Sequence, residues 1–467
     1  MFPRPLLPLL SCSLLAACVS AGPDYAAPRP ALPASWQAAA TPQGASLVHW
    51  WRGFHDDTLN ALIDTALAQS PDLRSARARL RESRASLGVA RAAQWPGLSQ
   101  DNSARRTESA GAGSAADSYS VGFDASWEID LFGGTRRSVE AARATLEASE
   151  AGVSDAWLTL SAEVARVYLD LRTQQARLAI ARSNLASLEE THRLIRWREQ
   201  AGLASSLDAL QATSTLETAR ARIPALEAAI ETALDRLTVL CGAPRTEIAG
   251  RTAHLSALPA APAEVAVPLP AELIRQRPDL RAAERRLAAA SASVGVASAA
   301  LYPSLQLSGT LALSSGGLDT LFRPASLGSS LLAGLSTPLL DGGRLRRTVD
   351  VRNAQLEQAL ISYEKTVAQA LADVESALVS LDRSGTRLRN LAAAAESASL
   401  AAGLARDRYT AGLIDYATLQ DTLRSELSAS DASASAQGEQ LAAAVALYKA
   451  LGGGFDMPGP GKETGTP

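Results

Sequence analysis

The chain has 467 residues, with 45 Lys and Arg against 48 Asp and Glu and a formal net charge of −3. That balance excludes the basic footprint of a protein whose main partner is nucleic acid. Aromatics are only 4% of the chain, and Ala, Ser, Leu and Arg dominate, a composition suited to long, closely packed helices.

Met1–Leu10 carries Arg4 and an apolar stretch, followed by Leu15-Ala16-Ala17-Cys18. A basic residue, a short apolar core and small residues before a cut site predict a secretory signal peptide over 1–17. The core falls short of the ~20 apolar residues of a membrane span. Leu-Ala-Ala-Cys also matches a bacterial lipoprotein box, which makes Cys18 the predicted acylated first residue. The other reading is an ordinary signal peptide with an incidental cysteine. Val19 stands where an Asp would resemble an inner-membrane retention signal, so the predicted destination is the outer membrane. Cys12 leaves with the signal, and Cys241 remains alone, with no disulfide framework or metal cluster to join.

Next along the chain, His55-Asp56-Asp57 reads as a weak metal site or as a polar helix start, with Asp57 capping from Thr58 onward. From residue 71 the chain begins to contain itself twice. Residues 71–98 and 278–305 align without a gap, and 16 of these 28 positions are identical. The match continues through Leu131-Phe132-Gly133-Gly134 and Leu340-Asp341-Gly342-Gly343, then Ala201-Gly202-Leu203 and Ala411-Gly412-Leu413. The period, 278 − 71 = 207 residues, is too long for a solenoid repeat and marks tandem duplication of a whole unit. Each unit is predicted to run helix, two strands, helix, helix.

Odd positions from Tyr119 to Leu131 are apolar and even ones polar, which predicts a strand with two unlike faces. Leu305–Leu313 and Leu327–Leu339 alternate in the same way. Leu98–Thr107 alternates poorly and is assigned as a strand from the repeat alone. Loops are predicted over Asp101–Ser118 and Ser314–Ser326. Two readings are open: β-hairpins packed on a soluble domain, or a membrane barrel with apolar residues toward lipid. Four strands cannot close a barrel and an open edge cannot survive in lipid, so the second reading requires an oligomer that shares strands.

After each strand pair comes a long uncharged seam at 3-4 spacing. It runs Val139, Ala142, Leu146 onward to Ile195, and again from Leu360 through Leu388, Ala392, Ala395 and Ser399 to Ala402. Sustained spacing of this kind predicts a coiled coil. Residues 135–200 contain no proline, and as one helix they would span roughly 100 Å. A return helix follows through Leu216 to Leu240, with a kink expected at Pro224. Antiparallel helical hairpins are thus predicted to turn at Gly202 and Gly412, and Gly133-Gly134 and Gly342-Gly343 to form strand-to-helix turns. No P-loop, nucleophile elbow or paired-carboxylate motif is present, and nothing in the sequence argues for an enzyme.

A lipoprotein Cys followed by Gly22-Pro23-Asp24-Tyr25, then Trp50-Trp51-Arg52-Gly53-Phe54, resembles the outer-membrane efflux factor family, in the OprM/CusC/NodT-like lipoprotein branch of the TolC superfamily. Both Pro-Asp-Leu-Arg segments, both Gly-Gly turns and both Ala-Gly-Leu tips fit it. The resemblance implies a mainly α fold with β. In that fold a trimer gives four strands per chain to a 12-stranded transmembrane β-barrel, and long coiled-coil hairpins form an α-barrel. It divides the chain into signal (1–17), lipidated N-terminal and equatorial segment (18–70), first repeat (71–242), linker (243–270), second repeat (271–453) and flexible tail (454–467).

The same resemblance implies a periplasmic gate. Asp421 matches an aspartate facing the threefold axis, Arg408 and Tyr409 match its latch pair, and Thr418 stands where TolC has a second aspartate. Tip residues Gly202, Leu203, Asp208, Gly412, Leu413 and Asp415 are the implied contacts for a periplasmic adaptor protein. Without the resemblance Asp421 reads as a solvated helix carboxylate. The expected role is a passive exit duct of a tripartite pump fed by an RND-type inner-membrane transporter. The expected cofactor set is empty apart from the lipid on Cys18. The alternatives are a duct for type I secretion or a MacB-type system, or a closed periplasmic coiled-coil scaffold with no channel.

Overall fold

The computed structural model describes residues 20–37, 47–108, 115–254, 257–262, 265, 267–268 and 270–453. Cys18 with its lipoprotein box, and the tail 454–467, lie outside the described residues. In chain order the elements are α1 (Asp57–Gln69), α2 (Pro71–Ala92), β1 (Gly97–Glu108), β2 (Ala115–Ile129), α3 (Gly134–Gln200), α4 (Ser206–Cys241) and α5 (Arg245–Thr252). Then come α6 (Pro270–Gln276), α7 (Pro278–Ala299), β3 (Ser304–Ser315), α8 (Leu318–Leu321), β4 (Leu327–Ser336), α9 (Arg344–Thr410) and α10 (Tyr416–Ala450). The helix, strand, strand, helix, helix order occurs twice, and α3 and α9 have the same length, 67 residues. No described helix is long and apolar enough to cross a membrane.

The chain forms two compact units. Among the described residues, the first comprises those within 20–30, 78–151 and 281–366, and carries the sheet. Its order is β1-β2-β3-β4, antiparallel throughout. Register places Val121, Phe123 and Trp127 beside Leu313, Leu311 and Leu307 on one face. Leu305, Gly309 and Leu313 continue that face onto Leu335, Leu331 and Leu327. The opposite face carries Asp124, Ser126, Gln306, Ser308 and Thr310. An apolar sheet face this exposed, with Leu331 at 85%, demands a non-aqueous neighbour. On β1 the residues sharing the apolar face are Leu98, Gln100, Asn102 and Ala104. Two polar residues in that row are why the strand alternates poorly in sequence.

The predicted loops shrink accordingly. Asp101–Glu108 belongs to β1 and Ala115–Ser118 to β2, because ladder bonds extend the hairpin beyond the apolar residues that reveal it. In the other loop, Ser314 and Ser315 complete β3, then α8 and a 3-10 turn at Pro324–Ser326 follow, with Leu321 buried. Each strand pair hands over to a long helix through a glycine turn. Gly133, Gly342 and Gly343 have φ of 81°, 67° and 84°, a region glycine adopts without strain, whereas Gly134 already begins α3. Asp130 accepts from the amides of Thr135 (3.2 Å) and Arg136 (2.8 Å), and Asp341 from those of Gly343 (2.9 Å) and Leu345 (2.8 Å). Those amides hold the Asp341 carboxyl below the usual carboxylate range.

Among the described residues, the second unit comprises those within 31–77, 152–280 and 367–453. Its core gathers Trp50, Trp51, Phe54, Leu59, Leu62 and Ile63 around α3 residues Val164, Tyr168 and Leu171 and α10 residues Leu441, Val445 and Tyr448. Buried Arg172 donates to Tyr168 Oη (2.8 Å) and to the carbonyl of His254 (2.7 Å), and Tyr168 donates to Asp56 (2.7 Å). The helix start here is capped by Asp56, which accepts from Leu59 N–H at 2.9 Å; Asp57 is the first helical residue, one position later than the cap it was expected to form. The 243–270 segment, predicted as linker, contains α5, whose Ile248 is buried in the core.

The coiled-coil seam of α3 holds along its length, with no seam position from Val139 to Ile195 exposed. On α9 the frame differs from the expected one: Ala392 and Ser399 are exposed, while Leu391 and Ala398 are partly covered. The steps from Leu388 are therefore three, four, three, four, which puts leucine rather than alanine into the seam. Pro224 sits exposed in α4, which continues past it to Cys241; water can satisfy the carbonyl that the proline leaves unpaired.

Candidate functional site

In the second unit the two hairpins turn by the same chemistry. Gly202 (φ 73°) and Gly412 (φ 72°) take the left-handed position that ends α3 and α9. Leu203 N–H returns to Arg198 O at 2.7 Å and Leu413 N–H to Arg408 O at 2.9 Å, which satisfies carbonyls that a helix end leaves open. The return helices start with different caps. Ser205 and Asp208 form a reciprocal capping box on α4. Asp415 caps α10 by accepting from Thr418 N–H at 2.9 Å. The Thr418 hydroxyl and amide hold the Asp415 carboxyl below the usual carboxylate range. Asp208 and Asp415 thus have structural work at the turns, and Leu203 and Leu413 stay 78% and 73% exposed at the apices.

Below the apices a compact apolar cluster joins both hairpins. It contains Ile195, Ala209, Ala212, Leu216, Ala402, Tyr409, Tyr416, Leu419 and Leu423. The Tyr409 and Tyr416 rings meet edge to face at 6.3 Å, and burial pushes the Tyr416 hydroxyl upward in pKa. The Arg198 guanidinium lies 4.7 Å above the Tyr409 ring and donates to Thr410 O at 3.2 Å. Gln420 reaches Thr215 at 2.6 Å, and Arg406 reaches Glu426 at 2.6 Å. Arg198 was not among the sequence-based site residues. A lone arginine near a helix end carries no local signal of the ring it covers.

The predicted gate residues separate within one chain. Tyr409 is 5% exposed and belongs to the cluster. Arg408 and Asp421 are exposed, and among the described residues no ion pair or hydrogen bond links them. The cation beside Asp421 is Arg424, at 3.9 Å.

In the first unit the polar sheet face is a second candidate surface. Asp101, Asp124 and Glu128 share it with Arg105, a net of 1 − 3 = −2 per chain. Thr310 donates to Asp124 at 2.8 Å, which orients that carboxylate on the face. A conduit lined by these strands is expected to favour cations. Replacing Asp101, Asp124 and Glu128 by their amides should shift the reversal potential of bilayer currents toward anion permeation; an unchanged reversal potential would show that other residues set the selectivity.

Among the described residues no group of acidic, histidine or cysteine side chains forms a metal cluster. Cys241 is buried, donates to Leu62 O at 3.7 Å, and has its thiol pushed up to about 11 by burial.

The model of the outer membrane efflux protein family matches residues 62–243 and again 269–453. Its two starts differ by 269 − 62 = 207 residues, the period of the internal repeat. The pyoverdine export outer membrane protein OpmQ of Pseudomonas aeruginosa is 36% identical over 467 residues, covering 95% of this chain and 96% of that protein. Outer membrane protein OprJ of the same species is 33% identical over 465 residues, covering 96% of this chain and 95% of that protein. The solved outer-membrane channel OprN superposes with a TM-score of 0.84 at 36% identity, covering 93% of this chain and 99% of that one. Repeat, sheet faces, hairpins and relatives agree: the chain belongs to the outer membrane efflux protein family and is a TolC-like outer-membrane efflux channel that extends into the periplasm.

Proposed function

We propose that three copies of this chain form a passive exit duct for small molecules, working with a periplasmic adaptor and an RND-type inner-membrane transporter. The observation that carries this reading is a four-stranded sheet with one apolar face and two unpaired edges. Such edges are intolerable in lipid unless another copy pairs with them. In sequence order β1 and β3 run one way and β2 and β4 the other, so β4 of one copy can meet β1 of the next antiparallel. Three copies then supply 3 × 4 = 12 strands. Native mass spectrometry in detergent should give a trimer, and the purified protein should conduct in planar bilayers. Monomers alone, or a trimer without conductance, would instead favour the closed scaffold. Cys18, acylated, would add a lipid anchor, and mass spectrometry of the mature N-terminus tests that separately.

The gate belongs to the same reading. Arg408 and Asp421 are both exposed in one chain and not joined to each other, which leaves them available to other copies around an axis. Three Asp421 carboxylates near one axis repel one another and need cationic support. The double variant Arg408→Ala with Asp421→Ala is expected to raise conductance and vancomycin uptake while trimer thermal stability stays unchanged. Wild-type conductance and uptake in that variant would leave Asp421 a solvated helix carboxylate.

A further inference from the structure

Beside the apolar cluster beneath the tips, α3, α4 and α10 leave a pocket of about 410 Å³ between them, within the second unit. A volume of that size suits a small organic molecule. Leu188, Ala219 and Leu423 belong both to the cluster and to the pocket wall, and Leu427 extends the apolar side. Gln420, also in the wall, reaches from α10 to Thr215 on α4, so the pocket is built from both hairpins.

The polar part of the wall is one-sided in charge. It holds Arg222 and Arg424 and no carboxylate, 2 − 0 = +2, in a chain whose net charge is −3. Elsewhere along these helices arginines are matched with acids, as Arg177 is with Asp431, Arg182 with Glu227 and Arg220 with Glu189. Arg222 has no ion pair or hydrogen bond among the described residues. Arg424 approaches Asp421 only to 3.9 Å, with its side chain 69% exposed, a pair too solvated to saturate it. Asn184, in the same wall, has its Oδ1 shut off from solvent and without a partner. What this amide can offer a ligand is therefore its N–H donors. Two guanidinium groups and an amide donor, with no acid among them, are an array suited to an anion.

We infer that this pocket is a binding site for an amphiphilic organic anion, whose acidic group meets Arg222 and Arg424 and whose apolar body lies on Leu188, Leu423 and Leu427. Inorganic phosphate or chloride would meet the arginines and leave the apolar wall wet, so the class is an organic acid. An occupant touches both hairpins and so holds α4 against α10, and it must leave before they part. The consequence for conductance rests on the exit-duct reading; the binding does not.

The test titrates naphthoate into the purified full-length protein in nanodiscs, read by calorimetry against empty nanodiscs, with the neutral isostere naphthamide as the control. Naphthoate should bind once per chain and at least ~10-fold more tightly than naphthamide, the difference that a charged hydrogen bond makes. Both arginines are exposed, so Arg222→Gln with Arg424→Gln should erase that preference and leave naphthamide affinity and thermal stability unchanged. At about ten times its Kd, naphthoate should slow amide exchange over 211–222 and 420–427 by about 10-fold, and single-channel conductance should fall. Equal affinities for the two probes, or a preference that survives the double substitution, would overturn the anion site. Binding without slower exchange would overturn its hold on the hairpins. A protein that conducts nothing even without naphthoate would overturn the duct reading alone, and the calorimetry would still decide the pocket.

Discussion

Leu331→Arg is expected to abolish assembled channels, whereas Ser330→Arg should leave them assembled. The two positions are neighbours on β4 and differ in face. Leu331 pairs with Gly309 on the apolar side, and Ser330 pairs with Thr310 on the polar side. Both lie near the middle of the ten-residue strand. An arginine on the lipid side at mid-membrane costs about 2–4 kcal/mol per site, and symmetry would impose that cost in every copy. An arginine toward the lumen stays hydrated and alters only the field there. Trimer recovered from outer membranes is the measurement. Equal trimer yields from the two variants would mean that the faces have been assigned the wrong way or that this sheet does not meet lipid.

Tyr409→Ala should loosen the periplasmic end more than any exposed substitution there. The ring is 5% exposed, meets Tyr416 edge to face, and lies under Arg198. Truncating a large buried aromatic typically costs about 3–5 kcal/mol, from lost transfer energy and the cavity left behind. A further ~0.5–1.5 kcal/mol comes from the aromatic pair. The cluster joins α3, α4, α9 and α10, so the loss falls on the contact between hairpins. Single-channel conductance should rise, and amides over 195–216 and 402–423 should exchange faster. Tyr409→Phe keeps the ring, its packing and its place under Arg198, so it should behave as wild type. If Tyr409→Ala shows wild-type conductance and exchange, the cluster does not hold the tips.

How much of this was legible in the sequence depended on whether the signal was periodic. The seam of α3 was readable because an uncharged position recurs at helical spacing from Val139 to Ile195. The last turns of the α9 seam were misframed because residues 392–395 are all alanine, and a run of identical small residues fits two frames equally well. β2 and β3 announced themselves by alternation. β1 could not, since Gln100 and Asn102 stand where its partners have apolar side chains; only the internal repeat revealed it. At the tips the turn glycines were readable as local chemistry, whereas the caps made by Ser205, Asp208 and Asp415 emerged only from the structure. Arg198 over Tyr409 was not readable, because that contact joins residues 211 apart in sequence with no motif between them. Arg137 was missed for the same reason: besides nearby Glu140, its partners Ala21 and Asp24 lie more than a hundred residues upstream.

The direction of the sheet's two outer strands bears on how such a protein could have arisen. Each repeat contributes one hairpin, a strand going out and a strand coming back. Adding or removing a whole repeat therefore never changes the sense in which the edges meet, and every seam stays antiparallel. An ancestral chain with a single repeat would offer one hairpin, and six such chains would close the same ring that three duplicated chains close. Gene duplication and fusion could then trade subunit number for chain length without any intermediate exposing a mismatched seam. Loss of a lone strand has no such freedom, because it would set two strands side by side in parallel with no crossover to support them.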